Sequence, residues 1–147
     1  MANSGGPVFD MTFRVASANA TTTAQFSVVC GGTNSSTFAP SIPTTTTSYS
    51  YPVGVIQNRM TANSTAVTVR MGGVSKVQLL DSITAFQYLK VAASGTCGQF
   101  TLSATQNTVT TANQIYVGVI GKALEDGATG QVIEALISPQ LMFGQGT

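Results

Sequence analysis

The side chains able to do chemistry are few. There is no His, and the only carboxylates are Asp10, Asp81, Glu125, Asp126 and Glu134. Without His the commonest general base and metal ligand is missing. Only Glu125 and Asp126 are sequence neighbours, and adjacent residues of a strand face opposite sides. The spacing therefore offers no acid/base pair, and an enzyme would have to assemble Asp81, Lys122, Glu125 and Asp126 from separate parts of the chain. Cys30 and Cys97 lack the CxxC spacing of a zinc or redox site. A disulfide and two buried thiols both remain open for them, with synthesis in a cytosol favouring the thiols. These residue types predict no catalytic residue, no metal and no cofactor, and so a binding or structural role.

Composition narrows the partners. The 147 residues suit one domain with a single core. Charged residues make up 7% of the chain, against about 25% in ordinary soluble domains. A net charge of +1 gives no field to draw in nucleic acid or an anionic membrane. No apolar run approaches the roughly 18 residues of a membrane span, and no basic start leads into an apolar signal segment. The polar surface must come from 22 Thr and 14 Ser. A wet but weakly charged surface fits a subunit held in an assembly better than a freely diffusing enzyme, which usually keeps more charge for solubility.

The elements that position these residues read as strands. Val8 to Val15 (VFDMTFRV) and Ala24 to Cys30 (AQFSVVC) are rich in β-formers, and the residues before Val8 read as a loose arm over 1–7. Thr33 to Ser50 carries two prolines and a Thr tract, which rules out a helix and leaves a long extended connection. Such a connection is either solvated or laid over a neighbouring subunit. Val53 to Ile56 is a short strand, and Ala66 to Met71 a longer one. Gly72-Gly73 reads as a turn into a strand from Val74 to Leu80. A turn over Asp81 to Ala85 leads into a strand from Phe86 to Val91. Ser94-Gly95 then turns into Gln99 to Ala104. Gln114 to Leu124 and Gly130 to Ile137 form the last pair, and Pro139 ends regular structure, leaving a tail over 139–147. The copies of Val-Gly-Val-Ile at 53 and 117 read as two similar strand–loop–strand units of one β-barrel.

Two segments carry a family resemblance. Val117 to Ile137, VGVIGKALEDGATGQVIEALI, resembles the closing stretch of small tailed-phage capsid decoration proteins, or head cement proteins. Gly73 to Phe100 resembles the middle of the same family, through Gly73, Val74, Val77, Ile83, Ala85, Leu89 and Gly95. The family's Gly-Asp after that Ala is here Phe86-Gln87. The resemblance spans about residues 52–138. It implies an all-β fold, a compact β-tulip or β-barrel with an extended N-terminal segment. It also implies a place on the outer surface of the virion capsid, after synthesis in the host cytoplasm. The implied partners are the major capsid protein and neighbouring copies in a homotrimer, with no nucleic acid and no membrane. The implied role is to hold the shell against the pressure of packaged DNA.

A cement needs isolated apolar anchors. The expected capsid or inter-subunit contacts are Phe9 in the first strand, Phe38 and Ile42 in the connection, and Leu141, Met142 and Phe143 in the tail. For Phe9 the competing, and favoured, reading is core packing in the first strand, and the three tail residues read equally as tucked under the domain or docked on a partner. Two other roles fit the composition: a surface domain binding carbohydrate or receptor, with Tyr49 and Tyr51 as stacking residues, and a self-polymerising fibre subunit.

Overall fold

Runs of Val, Ile and Thr with an apolar residue at every second position form strands, because alternate side chains project to opposite faces. The computed structural model describes residues 6–14, 25–31, 40–41, 51–59, 66–100 and 114–145. Over these the chain is an all-β single domain built from nine strands. They are β1 (Phe9–Arg14), β2 (Val28–Gly31), β3 (Pro40–Ser41), β4 (Pro52–Ile56), β5 (Ala66–Gln78), β6 (Tyr88–Val91), β7 (Cys97–Gln99), β8 (Gln114–Ala123) and β9 (Val132–Gln145). The spatial order is β3-β2-β4-β5-β9-β8-β6-β7, with β1 also paired to β5. All strand pairs are antiparallel. The sheet curls into a half-barrel. Its far side meets the end of β5 through a bridge between Leu79 and Cys97, where the Leu80 N–H donates to the Cys97 carbonyl at 2.7 Å.

Gly72-Gly73 is not a turn. β5 continues through it and changes neighbours there: Ala66 to Gly72 pairs with β1, and Gly73 to Gln78 with β9. Gly73 has φ +90°, which an L side chain resists, and a β-carbon on it would lie 2.7 Å from the Pro7 carbonyl oxygen. The glycine thus bends the strand and admits the chain entering β1. Alternation keeps its phase across the bend. Val67 and Val69 face a smaller cluster with Val29, Val53 and Ile56, while Val77 and Leu79 face the main core with Val55, Leu89 and Ile120. One strand therefore holds two cores. Its buried Ser75 hydroxyl accepts from the Gln57 side-chain amide at 2.8 Å.

Pro139 does not end regular structure either, since β9 continues through it to Gln145. Val119 pairs with Gln140 and Gly121 with Ile137, so Ser138 and Pro139 together face Ile120. At this bulge the missing proline N–H is not needed for the ladder. Other boundaries shift by a few residues. β2 begins at Val28, after a turn at Gln25-Phe26, and β6 begins at Tyr88 rather than Phe86. β7 covers Cys97 to Gln99, reached through a tight turn at Ala93–Gly95, and residues 101–104 of the strand expected over Gln99 to Ala104 lie outside the described residues. β4 and β8, which carry the Val-Gly-Val-Ile copies, each pair with the strand that follows them.

A closer internal repeat relates β5–β6 to β8–β9. Leu79 exchanges backbone hydrogen bonds with Gly130 and Gln131, as Ala123 does with Phe86 and Gln87, and Ile83 and Gly127 bond each other reciprocally. The two connecting loops thus lie face to face about this contact.

The bend in β5 can be tested directly. Gly73→Ala should lower stability by about 2–3 kcal/mol, from left-handed strain plus crowding against Pro7 and Val8. Gly31→Ala, where a β-carbon meets open space, should change it by less than about 0.5 kcal/mol. Denaturant midpoints measure both, and equal losses would refute the role given to Gly73.

Candidate functional site

β1 is short, lies beside β5, and has an apolar residue at every second position. Phe9, Met11 and Phe13 share one face, opposite Gly72, Val69 and Val67 respectively. The row begins in the smaller core and runs off its edge. Phe13 is half-buried against that cluster, whereas Met11 is 42% and Phe9 58% exposed. Exposure of Phe9 overturns its reading as a core residue. Val8, which precedes β1, is also exposed, and the sequence reading singles out neither it nor Met11. The alternation of VFDMTFRV carried the signal, but its apolar residues read equally well as core.

β1 is held by one charged contact. The Arg70 guanidinium donates from Nε to Asp10 Oδ1 at 2.8 Å and from Nη2 to Oδ2 at 2.9 Å. Its Nη1 reaches past the Gly72-Gly73 bend to the Val74 carbonyl at 2.7 Å. A single side chain thus clamps β1 to β5 and braces the bend. The hydrogen bonds from Arg70 hold the Asp10 carboxyl below the ordinary carboxylate range.

The other expected contacts are placed differently. Leu141 and Met142 belong to β9, opposite Gly118 and Val117, and are half-buried rather than free in a tail. Met142 packs on a third cluster with Phe100, Val117 and Val119. The backbone of Phe143 pairs with Tyr116 in the same ladder. Phe38, Ile42 and Tyr49 lie outside the described residues, as do residues 1–5 of the expected arm and most of the Thr33 to Ser50 connection. Tyr51 is 63% exposed at the start of β4.

Of the groups weighed for catalysis, Glu125 and Asp126 bond backbone amides. Glu125 Oε1 accepts the Glu134 N–H at 2.7 Å, and Asp126 Oδ1 accepts the Ala85 N–H at 2.7 Å. The Lys122 ammonium stands 4.5 Å above the Tyr88 ring. Among the described residues no three His, Cys, Asp or Glu gather as a metal site. Cys30 and Cys97 are both buried and not joined by a disulfide. Burial, with a smaller contribution from Cys30, pushes the Cys97 thiol up to about 12, so it stays protonated and unreactive at neutral pH.

No protein-family profile and no curated protein matches the chain by sequence. Solved structures do provide a likeness, to the N base of the head fiber gp8.5 of bacteriophage phi29. It has a TM-score of 0.58 and 16% identity, and it covers 92% of this chain and 98% of that one. At this identity the likeness is one of fold.

The Asp10–Arg70 clamp predicts an acid-sensitive β1. The folded state lowers the Asp10 pKa, so its contribution is present above the unfolded value near 3.9 and is lost as pH falls through the folded value. The pair is partly solvated and contributes about 1 kcal/mol at most. Asp10→Asn at neutral pH should speed amide exchange in β1 by up to about fivefold and leave β8 and β9 unchanged. Unchanged exchange in β1 would show that the clamp does not hold the strand.

Proposed function

We propose that this protein is a structural component of a tailed-phage head. In this reading it is a non-catalytic decoration protein that binds outside the shell at junctions between major capsid subunits, as a homotrimer. The observation that carries the reading is the fold shared with a head-fiber base over almost the whole of both chains. Support comes from the resemblance of residues 52–138 to head cement proteins and from the apolar side chains of Val8, Phe9 and Met11, which the single chain leaves exposed. Binding through apolar side chains and strand edges needs little charge and loses little to salt. A subunit that binds only the mature lattice stabilises that lattice by mass action.

The same fold likeness favours a second reading, in which the domain is the base of a longer head fibre. The two differ in what the shell gains. As a cement, the protein should raise the temperature at which heads release DNA and protect them against osmotic shock, relative to heads made without it. Equal release from both would exclude the cement role, and a protruding appendage on such heads in electron micrographs would establish the fibre base instead.

A further inference from the structure

Phe86 occupies a position where the fold calls for glycine. The loops Thr84–Gln87 and Ala128–Gln131 contain the same turn, built twice. In each, the N–H of the fourth residue donates to the carbonyl of the first, at 3.2 Å and 3.1 Å. In each, the Gln side chain at the fourth position accepts the N–H of the first, at 3.0 Å and 2.8 Å. The third residue has positive φ in both, +80° at Gly130 and +68° at Phe86, as a type II turn requires. Glycine meets this at no steric cost, whereas a bulky side chain in the left-handed region is strained. Phe26, another aromatic with positive φ, packs against the main core, and that burial offsets its strain. Phe86 is 73% exposed, more than any other large apolar side chain among the described residues. Among the described residues nothing in the fold accounts for it.

Strain retained at an exposed aromatic marks a contact made with another molecule. The surroundings define what that molecule presents. The Phe86 N–H is bonded to the Ala123 carbonyl, next to exposed Leu124. Asp126 is fixed on the N–H of the preceding Ala85. The loops 80–87 and 124–131 carry Asp81, Glu125 and Asp126 and no Lys or Arg, while Lys90 lies beside Asp81 next to Gly98 and Lys122 stands over the Tyr88 ring. The tip is thus an apolar knob with an acidic border. Two copies meeting tip to tip would oppose acid to acid, and an anionic membrane would repel it.

We propose that Phe86 inserts into an apolar pocket bordered by Lys or Arg on the phage shell protein; the identity of this partner rests on the head-associated reading above. The test uses purified heads assembled without this protein, titrated with wild type and with Phe86→Gly, a change that the Gly130 turn shows the backbone accepts. Phe86→Gly should unfold at a temperature a few degrees higher, keep its size in gel filtration, and bind heads about thirtyfold more weakly, as for loss of an aromatic anchor. Phe86→Asn, also tolerant of positive φ, should behave alike in binding. Wild-type binding should weaken only modestly as NaCl is raised, because salt screens the contribution of the acidic border and leaves the apolar contact. Wild-type affinity in both variants would overturn the anchor while leaving head binding intact. Failure of wild type to bind heads would overturn the head reading and this partner together. A smaller oligomer for Phe86→Gly would assign the side chain to contacts between copies and so overturn the proposal.

Discussion

The whole sheet depends on one bent strand. β5 carries β1 and β4 along its first half and β9 along its second, and its inward side chains supply two separate cores. Breaking it at Gly72-Gly73 would separate the β1–β4 region from the curled sheet of β6 to β9. The bend is possible because a glycine takes positive φ where the chain entering β1 passes close by, and because Arg70 reaches across to the Val74 carbonyl. In a protein with so few charges, its one bidentate ion pair among the described residues stands at this joint.

The same constraint shapes the surface. β1 is anchored by pairing and by Asp10, so its apolar row need not be buried to hold the strand in place, and Phe9 and Met11 extend beyond the core. At the other end of β5, the paired loops fix each other through Ile83 and Gly127, which makes the tip rigid enough to hold Phe86 in a strained conformation. Rigid, exposed apolar groups on a weakly charged surface suit binding by shape. They supply contact area at little entropic cost on association.

Much of the fold was legible from alternation. The all-β class, the first strand, β4, the two final strands and the turn before β6 follow from period-2 patterns and Gly or Asp punctuation. The misreadings share one cause. Gly72-Gly73 and Pro139 act in this chain as a bend and a bulge, and a sequence alone does not show whether a strand continues on the far side of such a residue. With regular structure ending at Pro139, Leu141 and Met142 read as a tail tucked under the domain or docked on a partner, whereas they are strand residues that pairing with β8 half-buries. The exposed apolar surface was less legible. The exposure of Phe9 runs against its favoured reading as core, and Met11 carries no signal that separates an edge row from a buried one. Phe86 was visible only as a departure from Gly in a resembling pattern. The repeat LLDSITAFQ and ALEDGATGQ, with Gln closing both loops, was the clue that would have placed it at a left-handed position.

Hydroxyl-radical footprinting of the free protein and of the protein bound to heads reads the exposure of these side chains directly. Phe9, Met11 and Phe86 should be oxidised readily in the free protein and protected on heads, with Phe86 protected most. Equal oxidation of all three in both states would contradict the claim that these exposed apolar groups are the assembly contacts.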